Sequence, residues 1–285
     1  MIDAYELKNN QTTNDEIELP TEIIENPLET LVNADQLWHD GYGLVKLNEF
    51  YALSLVGSQG SGKTSIARRL AIKAKENDFR IIYAVPDDYM SDVTGWLAMA
   101  TRESRAKTFI VLDDLSYFSD AQARKQTALV KNMVARVRHI FKGQIFMIFI
   151  THRLHATPPM LRNSASWIFM NMQSADRDDA LEVIGRDKEQ RERLERVYTF
   201  LSRVSLESAN DDRMIKITYH DKDYKFKWGD KTDPADGRIM AIYHGGKVKL
   251  FHAKDEETDI NFNDYRFIPI TPVVEKKVVK AKILE

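Results

Sequence analysis

Eight residues, "GSQGSGKT" from Gly57 to Thr64, combine three glycines, two serines, one glutamine, one lysine and one threonine. The spacing is G-x-x-x-x-G-K-[ST], and each residue type has a physical use in holding phosphate. Gly57, Gly60 and Gly62 allow the backbone to turn its N–H groups inward as an anion nest, with Ser58 and Ser61 between them. A helix beginning near Lys63 aims its positive end at the same point. Lys63 carries a charge that reaches β- and γ-phosphates, the Thr64 hydroxyl is placed to ligate Mg²⁺, and Ser65 completes the binding set. The alternative is a Gly/Ser-rich turn that binds nothing. An apolar run ends before the loop and a helical pattern starts after it, which is the context the motif requires. The expected ligand is a nucleoside triphosphate.

Two further clusters sit where apolar runs end. "FIVLDD" brings Asp113 and Asp114 to the end of a strand pattern. Asp113 in that position would hold the metal shell, and Asp114 is a candidate for orienting or deprotonating the attacking water. The alternative for Asp114 is a turn or helix-capping residue. "QIFMIFITHR" ends in Thr151, His152 and Arg153. If this strand lies between the other two, His152 can meet the γ-phosphate or the lytic water; otherwise the trio is a polar loop entry.

These groups need strands to carry them. "YALSLVG", "FRIIYAV", "TFIVLDDL", "QIFMIFITHR" and "SASWIFMNM" are continuous apolar runs, as expected of strands buried on both faces of a parallel sheet. Between them lie "KTSIARRLAIKAKEND" and "DAQARKQTALVKNMVARVRHIFK", which have helical spacing. The expected class is α/β, a mostly parallel sheet flanked by helices around residues 41–175. A charged helical segment follows over 176–212. Residues 213–285 form a β-rich extension, where Gly245-Gly246 marks a hairpin.

Charge and composition bound the rest. Residues 1–40 hold ten acids against Lys8 alone, and the remaining chain has 40 basic and 33 acidic residues. The first forty residues are therefore expected to be an acidic, mostly flexible leader. "RKQTALVKNMVARVRHIFK" is basic throughout, with no acid, and could face nucleic-acid phosphates, a neighbouring subunit or solvent. There is no cysteine, which excludes disulfides and thiolate chemistry. His152 and His155 lack the partners a metal site needs. No apolar run approaches the roughly 18 residues of a membrane span, and no basic-then-apolar signal opens the chain. A cytoplasmic location is expected.

"GSQGSGKT", "FIVLDD", "ARVRHIFKGQIFMIFITHR" and "PPMLRNSASWIFM" follow one another as in the FtsK–HerA superfamily of DNA-pumping ATPases. Within it the chain most resembles the genome-packaging ATPases of membrane-containing and archaeal viruses, over about residues 50–172. The resemblance implies a RecA/FtsK-like P-loop fold and Mg²⁺-dependent ATP hydrolysis. It also implies a homo-oligomeric ring, typically a hexamer, that moves double-stranded DNA. By the same resemblance Arg138 reaches a neighbour's nucleotide, with Arg153 and Arg162 as alternates. Partners would include a capsid or membrane-associated viral protein, and the location would be host cytoplasm. The chain departs from the family twice: Asp114 stands where Glu is usual, and His152 where a sensor Gln is usual. The competing expectation is an AAA+-type replication or protein-remodelling ATPase, which would carry a helical lid and a sensor arginine between Arg186 and Arg203.

Overall fold

The computed structural model describes residues 17–18, 31–89, 96, 99–100, 107–114, 143–152, 154, 166–170, 174–185, 187–210, 215–219, 222–226, 238–253 and 259–268. Arg138 and its basic stretch, together with Arg153, Arg162, Arg186 and the Pro158-Pro159 segment, lie outside these residues. The strands are β1 (Ile17–Glu18), β2 (Leu31–Asn33), β3 (Phe50–Gly57), β4 (Arg80–Ala84), β5 (Thr108–Leu112), β6 (Ile145–Thr151) and β7 (Ser166–Met170). They continue as β8 (Ile215–Tyr219), β9 (Lys222–Phe226), β10 (Arg238–His244) and β11 (Lys247–Ala253). The helices are α1 (Ala34–Asn48), α2 (Lys63–Glu76), the single turn α3 (Pro86–Tyr89), α4 (Ser174–Ile184) and α5 (Lys188–Asn210).

Among the described residues the main sheet runs β2-β11-β10-β7-β3-β6-β5-β4. Its heart is the parallel set β7-β3-β6-β5-β4. Every residue of β3, β5 and β6 is buried, which is why these strands read as unbroken apolar runs. One face packs Leu37, Trp38, Ile66, Leu70, Phe109 and Phe146 under α1 and α2. The other collects Tyr89, Trp96, Ile110, Met147 and Phe149. β6 lies between β3 and β5, so the strand ending at Thr151 is inserted between the loop strand and the Asp113 strand.

The hairpin β10-β11 pairs antiparallel with β7 and thereby continues the central sheet. Its turn places Gly245 at φ 59° and Gly246 at φ 76°, the two left-handed positions that a tight hairpin needs. A second, three-stranded sheet joins β1, β8 and β9. α5 leans on the hairpin, where the buried Gln190 accepts a 2.7 Å bond from the Val248 amide.

Residues 31–40 depart from the flexible leader expected over 1–40. β2 pairs with β11, and Asn33 caps α1 by accepting from the Gln36 amide at 2.8 Å. Leu37, Trp38 and Val45 of α1 are buried, and the Trp38 ring stacks on Phe146 at 5.1 Å. Of the ten acids of residues 1–40, Asp35 and Asp40 lie in α1; Asp35 is exposed and pairs with Lys73 of α2 at 3.0 Å, and Asp40 meets the buried His244 at 3.3 Å. Burial of the apolar stripe outweighs the charge.

Candidate nucleotide site

The loop begins where β3 ends beside β7. Gly57 is opposite Met170, and a Cβ on Gly57 would meet the Met170 carbonyl at 2.2 Å. No side chain fits there. Gly60 and Gly62 take φ of 78° and 91°, in the left-handed region where glycine alone carries no Cβ penalty. Gly62 is also the N-cap of α2 and supplies no side-chain cap to its first turn. The uncapped amides at a helix N-terminus, behind a loop of turned glycines, match what a phosphate chain requires. Thr64 is half-buried in that first turn and Ser65 is exposed.

Lys63 is 5% exposed and donates to the carbonyls of Gly57 and Ser58, both at 2.8 Å. Burial lowers its pKa below the ordinary lysine value, while the charges of Asp113 and Asp114 push it back up. Its ammonium also lies 3.4 Å from Nδ1 of His152. An ammonium can only donate, so Nδ1 is the acceptor of that contact, and the other ring nitrogen is Nε2. That nitrogen is 3.6 Å from Oδ1 of Asp114. The structure therefore brings Lys63, His152 and Asp114 into one row, from the first turn of α2 and from the residues that follow β6 and β5.

The Asp113 carboxylate is held at both oxygens. Tyr83 at the end of β4 donates its hydroxyl to Oδ2 at 2.6 Å, and the Asp114 amide donates to Oδ1 at 2.9 Å. The Asp113 backbone is fixed too, since its amide donates to Ala84 at 2.9 Å and its carbonyl accepts from the Tyr89 hydroxyl at 2.5 Å. Burial raises the pKa of both tyrosines well above the ordinary value, followed for Tyr83 by its hydrogen bond to Asp113 and for Tyr89 by the Asp113 charge. Asp114 has φ 48°, a left-handed conformation that aspartate and asparagine tolerate better than other side chains. Neither tyrosine was among the candidates from sequence. Both occupy positions that read as ordinary core aromatics, and only the dipeptide's neighbours in space show their polar ends at work.

Thr151 is fully buried, one register position from the loop strand at Val56, and its hydroxyl has no hydrogen-bond partner among the described residues. The residues present thus fit a nucleotide with a divalent cation. They offer glycine-lined amides and a lysine for phosphate, a half-buried threonine hydroxyl, and an oriented carboxylate.

A family model described as novel STAND NTPase 3 matches residues 43–198, more than half of the chain. The chain belongs to that family. It is a novel STAND NTPase, a P-loop enzyme that binds and hydrolyses nucleoside triphosphates, and the match spans the loop, Asp113, Asp114 and His152. The narrower likeness to the FtsK–HerA superfamily is not what the family model reports. No curated protein sequence matches. Among solved structures, the genome packaging NTPase B204 from Sulfolobus turreted icosahedral virus 2 in complex with sulfate is 14% identical. That match covers 74% of this chain and 100% of that one, with a TM-score of 0.44. The same protein in complex with AMPPCP is 15% identical over 72% and 97% of the two chains, with a TM-score of 0.42. The Thermotoga maritima RuvB Holliday junction branch migration motor is 13% identical over 54% and 48%, with a TM-score of 0.34. Among the described residues no helix is long and apolar enough to cross a membrane.

Proposed function

We propose that this NTPase hydrolyses ATP with Mg²⁺ and works as a homo-oligomeric ring that moves double-stranded DNA. The observation that carries the hydrolytic part is the inserted strand β6, which sets His152 between Lys63 and Asp114. A strand end in this place gives the γ-phosphate side of the site a polar group beyond those of the loop itself. Lys63 binds the β- and γ-phosphates and gives up its loop carbonyls to do so. Thr64 and Asp113 hold the Mg²⁺ that neutralises charge on those phosphates. Asp114 accepts a hydrogen bond from the attacking water and orients it, within reach directly or through one further water. His152 donates from its ring to Asp114 or to phosphate. Arg138 of a neighbouring subunit adds charge from outside, which makes turnover depend on assembly.

The DNA part rests on the acid-free run of Arg124, Lys125, Lys131, Arg136, Arg138 and Lys142 and on the excess of basic residues beyond residue 40. A capsid or membrane-associated viral protein would be the docking partner, and host cytoplasm the location. One observation favours a second reading, a protein-remodelling ATPase: α4 and α5 follow the core directly, as a helical lid would. Steady-state ATPase rates with and without double-stranded DNA, measured alongside native mass, separate the two. Stimulation of a ring by DNA supports the pump. A ring indifferent to DNA rejects it in favour of the remodeller.

A further inference from the structure

Tyr83, which donates to the Asp113 carboxylate, packs against a segment far away in sequence. Residues 259–268 return to β4, the strand at the edge of the main sheet, and cover it. The Phe267 amide donates to the Tyr83 carbonyl at 3.0 Å, and Arg266 forms a parallel bridge to Tyr83. Phe262, 2% exposed, lies flat on the Tyr83 ring with centroids 4.9 Å apart and planes 9° apart. The segment is itself anchored. Arg266 grips Asp88 with Nε and Nη2 at 2.9 Å each, and the Asp88 side chain is 3% exposed. Arg68 of α2 lies over the Phe262 ring at 5.9 Å, so the helix that follows the phosphate loop leans on the same aromatic.

We infer that Tyr83 is a positioning residue for Asp113, and that residues 259–268 form a strap that sets Tyr83 against it. This rests on the reading of Asp113 as the Mg²⁺-shell acid. The geometry gives the hydroxyl a specific task. An ionised carboxylate has about four acceptor directions. Tyr83 takes one on Oδ2 and the Asp114 amide takes one on Oδ1, so the carboxylate cannot rotate. The remaining directions stay available to a cation or its water. Phe262 in turn fixes the ring that delivers the hydroxyl. A tyrosine serving only as packing would do the same work without its oxygen, and that difference is measurable. Loss of an outer hydrogen bond to a metal-holding group typically weakens metal affinity about 10–100-fold.

The experiment titrates Mn²⁺ into the full chain with one equivalent of AMPPNP and follows bound metal by electron paramagnetic resonance. Metal-free AMPPNP affinity and melting are measured in parallel. Tyr83→Phe keeps the ring and its stacking; its half-saturating Mn²⁺ should rise about tenfold or more, with metal-free AMPPNP affinity changed less than about twofold. Phe262→Leu should move the same way by a smaller factor. A Tyr83→Phe midpoint equal to the parent's, while Asp113→Asn shifts it, overturns the role of Tyr83. A midpoint unmoved by Asp113→Asn overturns instead the metal reading of Asp113. Should Tyr83→Phe fail to fold, an unmoved midpoint in Phe262→Leu overturns the strap.

Discussion

Substituting Gly57 by alanine tests the loop where the structure is least forgiving. The added Cβ would meet the Met170 carbonyl oxygen at 2.2 Å, the Met170 Cβ at 2.8 Å and the Ser61 Oγ at 2.9 Å. Real contacts of this kind do not fall below 3.0 Å, so the ends of β3 and β7 must part by about 0.8 Å. Both strands are interior to the sheet, with β6 behind β3 and β10 behind β7, so neither can yield without disturbing a second ladder. Overpacking a dense interior costs about 1–3 kcal/mol, and a weakened ladder hydrogen bond adds about 1 kcal/mol. The expected total is roughly 2–4 kcal/mol, or a melting point lower by about 5–15 °C for a domain of this size. Gly60→Ala is the matched control. Its φ is 78° and its Cβ would meet nothing within 4 Å, so it bears only the left-handed penalty of about 1–2 kcal/mol. Differential scanning fluorimetry and ATP binding on both variants settle the matter. A Gly57→Ala protein that melts with the parent, or above Gly60→Ala, would refute the close-approach argument.

Four further outcomes are expected. Asp114→Asn should retain ATP binding and slow hydrolysis by about 10²–10⁴-fold; asparagine also tolerates the φ of 48°, so equal rates would mean the carboxylate does no chemistry. Asp114→Glu should stay active but melt lower, because glutamate takes the left-handed conformation less readily. Mixing Arg138→Ala with Lys63→Ala proteins should restore part of the ATPase activity, and no recovery despite proven co-assembly would reject a trans role for Arg138. His244, buried among Tyr51, Ser166, Asp40 and Lys249, has its pKa lowered from 6.5 by burial, against an opposing pull from Asp40. Below about pH 6.5 the unfolded chain therefore binds a proton that the folded chain resists, so stability falls as pH drops, by at most about 1.4 kcal/mol per pH unit. His244→Gln should flatten that part of the profile in urea titrations, and an unchanged slope would contradict it.

The residues proposed to hold phosphate were legible because their chemistry is local: the glycines, Lys63 and Thr64 lie within eight consecutive residues, and strand burial on both faces leaves an unmistakable apolar run. Asp113, Asp114 and His152 were legible for the same reason, as polar groups ending such runs. What brings His152 between Lys63 and Asp114 is strand order, which a run of apolar residues does not encode. Gly245-Gly246 announced a turn but not that β10 would pair with β7 and lengthen the central sheet. In α1 the charges of Asp35 and Asp40 dominated the composition, while the decisive contacts of Leu37, Trp38 and Val45 appear only once a sheet exists to bury them. The same holds for Tyr83: its hydroxyl has a role because Phe262 and Asp113, distant in sequence, meet at one strand end. The left-handed turn at Asp114 gives a physical reason for aspartate rather than glutamate at this position.

Nucleotide hydrolysis at the loop behind Gly57 depends on Lys63 as the phosphate-binding cation. Steady-state ATP hydrolysis in Mg²⁺ by the parent and by Lys63→Ala, each shown to be folded by its melting curve, tests it most directly. The parent should turn over ATP and Lys63→Ala should lose turnover, because Lys63 is the only lysine of the loop. Near-parental hydrolysis by folded Lys63→Ala would contradict it.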